Sequence, residues 1–328
     1  MRLSVVVPVR NEEDFISEFL TSLLRQSFPL EQFEVIVVDG LSTDSTVQEA
    51  RSFQERFHSF KLLSNPDRIT STGINRGIEA STGDVILIVG AHTVLPEDTL
   101  EKGMRILEEE SEYAGVSGVS VMLLSDVPRI RAIGAALQSF FGVGASHYRT
   151  GLKKRRETYN VGYTFFRRRV FEEYGGMDPS FVRSQDFAFF YKLHLAGEKI
   201  LHCPEIKFLY HYRSDFRSLF KQFFYTAMYK PFIFKQLRTF GRLNNLVPGI
   251  FLLFLLVAGV CGIFFKLSLY LFIGAVSVYL VVASVASIAA SIRFGVHRFW
   301  YVLWAYIVMH FSYGAGFLSG FIRYVVFG

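Results

Sequence analysis

From residue 246 to residue 328 the chain carries no aspartate or glutamate, and only four basic residues, Lys266, Arg293, Arg298 and Arg323. Three stretches in this region, 246–265, 267–292 and 299–322, are free of charged side chains. Each exceeds the roughly 18 residues that a helix needs to cross a bilayer. Buried helices of a soluble core keep a polar face, which these lack, so the sequence predicts three transmembrane helices. Lys221, Lys230, Lys235, Arg238 and Arg242 precede the first span, and Arg293 and Arg298 separate the second from the third. Placing both groups in the cytoplasm follows the positive-inside tendency. It leaves Lys266 and Arg323 outside and makes the C-terminus extracytoplasmic. The opening MRLSVVVPVR turns polar too soon for a signal peptide, so the first domain is expected in the cytoplasm of an integral membrane protein.

Removing those four basic residues from the 35 in the chain leaves 31 against 29 acids for the first 245 residues. That is a nearly balanced soluble domain. The net charge of +6 lies in and beside the apolar region and is not a nucleic-acid signature. Cys203 and Cys261 stand far apart and form neither a disulfide framework nor a metal-binding spacing.

Short apolar runs at 3–8, 34–39, 60–64 and 84–89 alternate with helix-like segments at 12–25, 45–57 and 72–80. This alternation predicts an α/β domain with a doubly wound, mostly parallel sheet and ligands at the carboxyl ends of the strands. No G-x-G-x-x-G follows the first run, which argues against a dinucleotide-binding dehydrogenase. From 216 to 242 six basic residues interleave with nine aromatics and no acid, the composition of helices lying in a membrane interface. The expected organisation is a catalytic domain at 1–215, interfacial helices at 216–245 and a membrane domain at 246–328.

Three strand-end loops carry the candidate chemistry. VPVRNEE (7–13) opens a helix whose free N–H groups suit phosphate or base acceptors, although Asn11 also reads as a helix cap. VVDGLSTDST (37–46) puts Asp39 at a strand end, where it can accept from a ribose hydroxyl or a base N–H, while Asp44 or Ser45 caps the next helix. VILIVGAHTVLPED (85–98) ends a third strand. KKRR (153–156) is a basic loop suited to phosphates or equally to solvent, and Arg167–Arg169 are expected to face solvent. Gly316-x-x-x-Gly320 allows close helix packing.

With these loops the chain resembles family 2 glycosyltransferases of the GT-A fold. The likeness is strongest over NPDRITSTGINRGIEASTGDVILIVGAHTVLPED (65–98), which resembles the branch that includes the bacterial succinoglycan glucosyltransferase. Residues 141–149, 161–187 and 220–230 fit the same branch. The resemblance implies an inverting hexosyltransferase that uses a nucleotide-diphospho-sugar, with UDP-sugars favoured. A polyprenyl-phosphate-linked or other membrane-proximal saccharide would be the acceptor.

By position, Pro8, Arg10, Glu12 and Asp39 would surround the nucleoside, and Arg68, Asn75, Ala91 and His92 would approach the donor. Asp186, in SQDF, aligns with the general base, which must take a proton from the attacking hydroxyl. A divalent cation, manganese or magnesium, would stabilise the leaving diphosphate.

Two departures bear on this reading. The Asp-Ala-His of the branch is Gly90-Ala91-His92 here, and Ala188 stands where a glutamate is common. Either His92 ligates the cation, or Arg68 or the 153–156 run replaces its charge, or the chain is a catalytically degenerate binding partner of a polysaccharide assembly complex.

Overall fold

The computed structural model describes residues 1–123, 125–144, 154–159, 162–212, 214–238 and 245–327. The chain forms two compact units, Met1–Leu123 with Ser146–His211, and Leu124–Ala145 with Tyr212–Gly328.

The first unit is built on nine strands: β1 (Leu3–Val9), β2 (Phe33–Asp39), β3 (Phe60–Ser64), β4 (Val85–Ile88), β5 (Thr93–Val94), β6 (Gly115–Met122), β7 (Arg156–Glu157), β8 (Thr164–Arg167) and β9 (Ile200–Tyr210). They form one sheet in the order β3-β2-β1-β4-β8-β6-β9-β5, with β7 on β9. The first four lie within one residue of the apolar runs in the sequence. Among the described strands the sheet is mixed rather than mostly parallel. β8 enters reversed between β4 and β6, and β5 and β7 are reversed against β9, so half of the pairings are antiparallel.

Alternation along the inner strands explains the layering. Val5, Val7, Val35 and Val37 face α1 (Ile16–Leu24) and α4 (Thr99–Glu109), whereas Val6, Ile36, Val38 and Ile86 face the other side. There they meet α3 (Thr70–Ala80), α7 (Arg169–Tyr174) and α8 (Gln185–Leu195). Between β2 and β3, α2 (Thr46–Ser52) gives way to a 3-10 turn, Gln54–Arg56, where the sequence suggests a single longer helix. Gly77 of α3 lies so close to Val6 that a Cβ would not fit, and this seats the helix directly on β1.

Arg169 is exposed as expected, but Arg167 and Arg168 are partly buried and engaged within the fold. Arg167 donates to the carbonyl of Leu107 in the last turn of α4 and to that of Tyr113 beyond it, and Arg168 donates to Gly83 O and Ser81 Oγ beyond the end of α3. The last carbonyls of a helix lack partners of their own, and guanidinium forks supply them. Arg169 pairs with both carboxylate oxygens of Glu198.

The second unit is helical. It contains α5 (Pro128–Leu137) and α6 (Phe140–Val143), which arise between β6 and β8, then α9 (Phe216–Met228), α10 (Lys230–Gln236), α11 (Val247–Gly262), α12 (Lys266–Phe294) and α13 (Phe299–Phe321). A contiguous catalytic domain at 1–215 is the sequence expectation, yet residues 124–145 group with the C-terminal helices. Tyr306 Oη donates to Ser139 Oγ at 2.8 Å, and His310 Nε2 lies 2.9 Å from Phe141 O.

Two helices, Lys266–Phe294 and Phe299–Val326, are long and apolar enough to cross a membrane. The third expected span is shorter, because helix α11 has 16 residues and 263–265 turn toward α12. Gly316 and Gly320 have no room for a Cβ against the backbone of α9, so the small-residue pair packs on the basic-aromatic helix. Lys235 Nζ donates to Tyr324 O at 3.2 Å. Lys235 and Arg323 therefore share one end of α13, where the charge pattern alone separates them.

Candidate functional site

Five non-glycine residues adopt positive φ among the described residues, and four of them lie in strand-end or helix-entry loops: Asn11 after β1, Leu41 after β2, Arg68 after β3, and Ser184 before α8. Left-handed backbone costs about 1–2 kcal/mol for such residues and concentrates where function over-determines the geometry.

The first two loops are tied together. Gly40 N–H donates to Val9 O at 2.8 Å. Asn11 N–H donates to Ser42 Oγ and Asn11 Oδ1 accepts from Thr43 N–H, both at 2.9 Å. Glu12 N–H donates to Thr46 Oγ1 at 2.7 Å, and Ser45 N–H donates to Glu13 Oε2 at 2.9 Å. Asn11 thus braces the second loop rather than capping α1. Burial would raise the Asp44 pKa, but hydrogen bonds from the hydroxyl and N–H of Thr46 and the N–H of Glu13 hold it below the ordinary carboxylate value.

Asp39 is the buried last residue of β2, and its carboxylate accepts from Ser42 N–H and, at 2.5 Å, from Ser42 Oγ. Its carbonyl accepts from Asn65 N–H at 2.7 Å, which joins the β3 loop to the assembly. Asn65 and Pro8 both lie against Gly73 of α3. The side chain of Arg10 packs along Gly40. The guanidinium groups of Arg10 and Arg68 are exposed and form no ion pair among the described residues.

In the third loop Ala91 is buried in the core. His92 Nδ1 lies 3.5 Å from Glu12 Oε1, and the ring stands edge-on to Tyr210 with centroids 4.9 Å apart. A Cβ on Gly90 would come within 3.1 Å of His92 Cε1. The imidazole therefore covers the position from which the absent first carboxylate would project. Among the described residues no three His, Cys, Asp or Glu side chains gather as a metal cluster. The protein donors present, Glu12 and His92, fit a cation only as a two-point anchor, with diphosphate oxygens and water completing its shell.

Asn75, expected beside the donor, has its amide engaged elsewhere. Nδ2 donates to Met177 O at 2.7 Å, and Oδ1 accepts from Met177 N–H at 2.8 Å. The loop so held leads through Ser184 into α8, where Asp186 occupies the first turn. Asp186 is exposed and has no cationic partner among the described residues. Ala188 is buried, so a glutamate there would point into the core of this chain.

Within the basic run Lys154 and Arg156 are exposed. Gly151 and Lys153 lie outside the described residues, and Arg155 is bound to Glu205 at 2.6 Å and Glu110 at 3.0 Å. Burial pushes the Cys203 thiol up to about 12, which removes it as a nucleophile. Sequence reading missed Ser42, Leu41 and Ser184. Nothing in the pattern marks Leu41 or Ser184, although the Asp-Gly-Leu-Ser run carries an Asx-turn signal for Ser42.

Residues 4–175, more than half of the chain, match the family described as Glycosyl transferase family 2. The chain belongs to that family. It is a glycosyltransferase, and the likeness to solved structures is that of the GT-A fold.

The chain is 28% identical over 227 residues to the dolichyl N-acetyl-alpha-D-glucosaminyl phosphate 3-beta-D-2,3-diacetamido-2,3-dideoxy-beta-D-glucuronosyltransferase of Methanococcus voltae, covering 67% of this chain and 70% of that protein. It is 29% identical over 248 residues to succinoglycan biosynthesis protein ExoA of Rhizobium meliloti, covering 74% and 73%. Among solved structures, the mannosyltransferase PcManGT of Pyrobaculum calidifontis, in complex with GDP-Man and Mn2+, superposes with a TM-score of 0.59 at 20% identity, covering 97% of this chain and 86% of that one.

Proposed function

We propose that this family 2 enzyme is an inverting hexosyltransferase. It moves a sugar from a nucleotide-diphospho-sugar to a lipid-linked or membrane-proximal saccharide at the cytoplasmic face, in polysaccharide or glycan assembly. The observation that carries the reading is the placing of Asp186: exposed, without a cationic partner, on a helix N-terminus whose entry loop is fixed to α3.

The acceptor hydroxyl attacks the anomeric carbon from the face opposite the diphosphate. Its proton passes to Asp186, the new C–O bond forms, and the donor C–O bond breaks with its electron pair leaving on the diphosphate. One displacement inverts the anomer. Asp39, Pro8 and the tied β1 and β2 loops hold the nucleoside, and Arg10 and Arg68 offer their charge to the diphosphate. Glu12 and His92 would hold a divalent cation, which when bound supplies further charge neutralisation at the leaving group. The acceptor class is supported by the Methanococcus relative, whose name specifies a dolichyl-phosphate-linked sugar. UDP-sugars are the donors to test first.

Asp186→Asn tests this reading. Donor binding by calorimetry should be unchanged while transfer falls about 100-fold or more, the scale of a lost general base. Transfer within a factor of three of the parent would take Asp186 out of the mechanism.

A further inference from the structure

Helix α13 has two opposed faces. Gly316 and Gly320, four residues apart and so on one side, abut the backbone of α9 at Phe224 and Met228. Gly314, two residues from Gly316 and therefore about 200° around the helix, abuts Pro248 and Leu252 of α11. His310, one turn before Gly314, meets Tyr279 of α12 at 3.1 Å. The helix is layered between α9 on one side and the α11–α12 hairpin on the other.

These two layers have opposite chemistry. α9 and α10 follow α13 along its length, from Phe216 against Tyr301 to Phe232 and Lys235 against Tyr324. They carry Arg217, Lys221, Lys230 and Lys235 and no acid. The opposite layer is apolar and open: Leu253, Val257, Val260, Val278, Val281 and Val285 are exposed, and only 11% of the most apolar window of α12 is buried. If α13 crossed the bilayer, α9 and α10 would carry the exposed Lys221 and Lys235 along with it into the hydrocarbon, which is heavily disfavoured. Lying flat, the same assembly turns the exposed Arg217, Lys221 and Lys235 to lipid phosphates and its apolar hairpin to acyl chains. Trp300 and Trp304, both exposed on α13, are residue types that favour the interface.

We infer that α13 lies in the plane of the membrane surface, with α9 and α10 against anionic headgroups and the α11–α12 hairpin inserted, so that the C-terminus stays on the catalytic side. This rests on the reading of a membrane-bound enzyme.

The test places single cysteines in a cysteine-free full-length chain, at His58→Cys on the first unit, Lys266→Cys at the hairpin tip and Phe327→Cys. A membrane-impermeant maleimide is then applied to inside-out and right-side-out vesicles. The inference expects positions 58 and 327 to label from the same side, at least tenfold better than from the other, with 266 protected on that side. Labelling of 327 only from the face opposite 58 overturns the in-plane helix while leaving membrane anchoring intact. Release of the whole chain from vesicles by a high-salt wash overturns the anchoring itself.

Discussion

Glu34 makes a quantitative test of what holds the donor-side strands together. It stands almost fully buried near the start of β2, and its carboxylate collects four donors: Ser4 Oγ at 2.8 Å, Lys61 Nζ at 2.9 Å, Thr82 N–H at 2.6 Å and Thr82 Oγ1 at 2.8 Å. Burial alone would raise its pKa, but these bonds prevail and lower it from 4.5 to about 2. Because the folded value lies below the unfolded one, the stabilisation is complete above pH 4.5 and disappears as the pH falls through about 2. A shift of that size corresponds to about 3 kcal/mol at pH 7 and about 1.4 kcal/mol at pH 3. Glu34→Gln should lower the melting temperature of the purified full chain by about 6–12 °C at pH 7. The gap from the parent should narrow by more than half at pH 3. A gap that stays constant between pH 7 and pH 3 would refute the assignment of this stability to the ionised carboxylate.

Asn75→Ala should lower kcat about tenfold by loosening the Met177 loop that leads to Asp186, with nucleotide diphosphate affinity by calorimetry within a factor of two. The reverse pattern, weak binding with normal kcat, would restore Asn75 to the donor. A chain ended after His211 keeps α5 and α6 but removes Tyr306, His310 and the rest of their unit. It should expose buried Ile133 and Leu137, at about 1.5–3 kcal/mol each, and float with liposomes or aggregate; a monodisperse soluble fragment would contradict this. Gly90→Ala crowds His92 Cε1, and His92→Ala removes the ring. Both should weaken manganese-dependent donor binding about tenfold if Glu12 and His92 hold the cation, whereas binding that ignores chelator in parent and variants alike would exclude that role.

Much of the strand framework of the first unit is legible in the residues because local patterns encode it. Buried parallel strands are continuous Val-Ile runs, Asp39 closes β2, and His92 stands in the loop after β4. What escapes is set by partners distant in sequence. Asn75 reads as a polar residue in a donor motif until Met177, about a hundred positions later, takes both ends of its amide. Arg167 and Arg168 look like surface charges because the carbonyls they satisfy, Leu107 of α4 and Gly83 in the loop before β4, are distant in sequence. Nothing in the period of α5 distinguishes a helix of the sheet domain from one that joins the C-terminal bundle. Charge bias gives an orientation to apolar spans, but it cannot show that α9 runs beside α13.

The central claim is that the strand-end assembly and Asp186 transfer sugar despite the missing carboxylate at Gly90. The most direct measurement incubates the full-length protein in detergent with a panel of UDP- and GDP-sugars and a polyprenyl-phosphate-linked saccharide. Nucleoside diphosphate release is followed with and without the acceptor, and the anomer of the product is determined by NMR. The account predicts acceptor-dependent release from at least one donor and a product of inverted configuration. Tight donor binding with no release from any donor would contradict it and identify the chain as a binding partner, and a retained anomer would contradict the single displacement at Asp186.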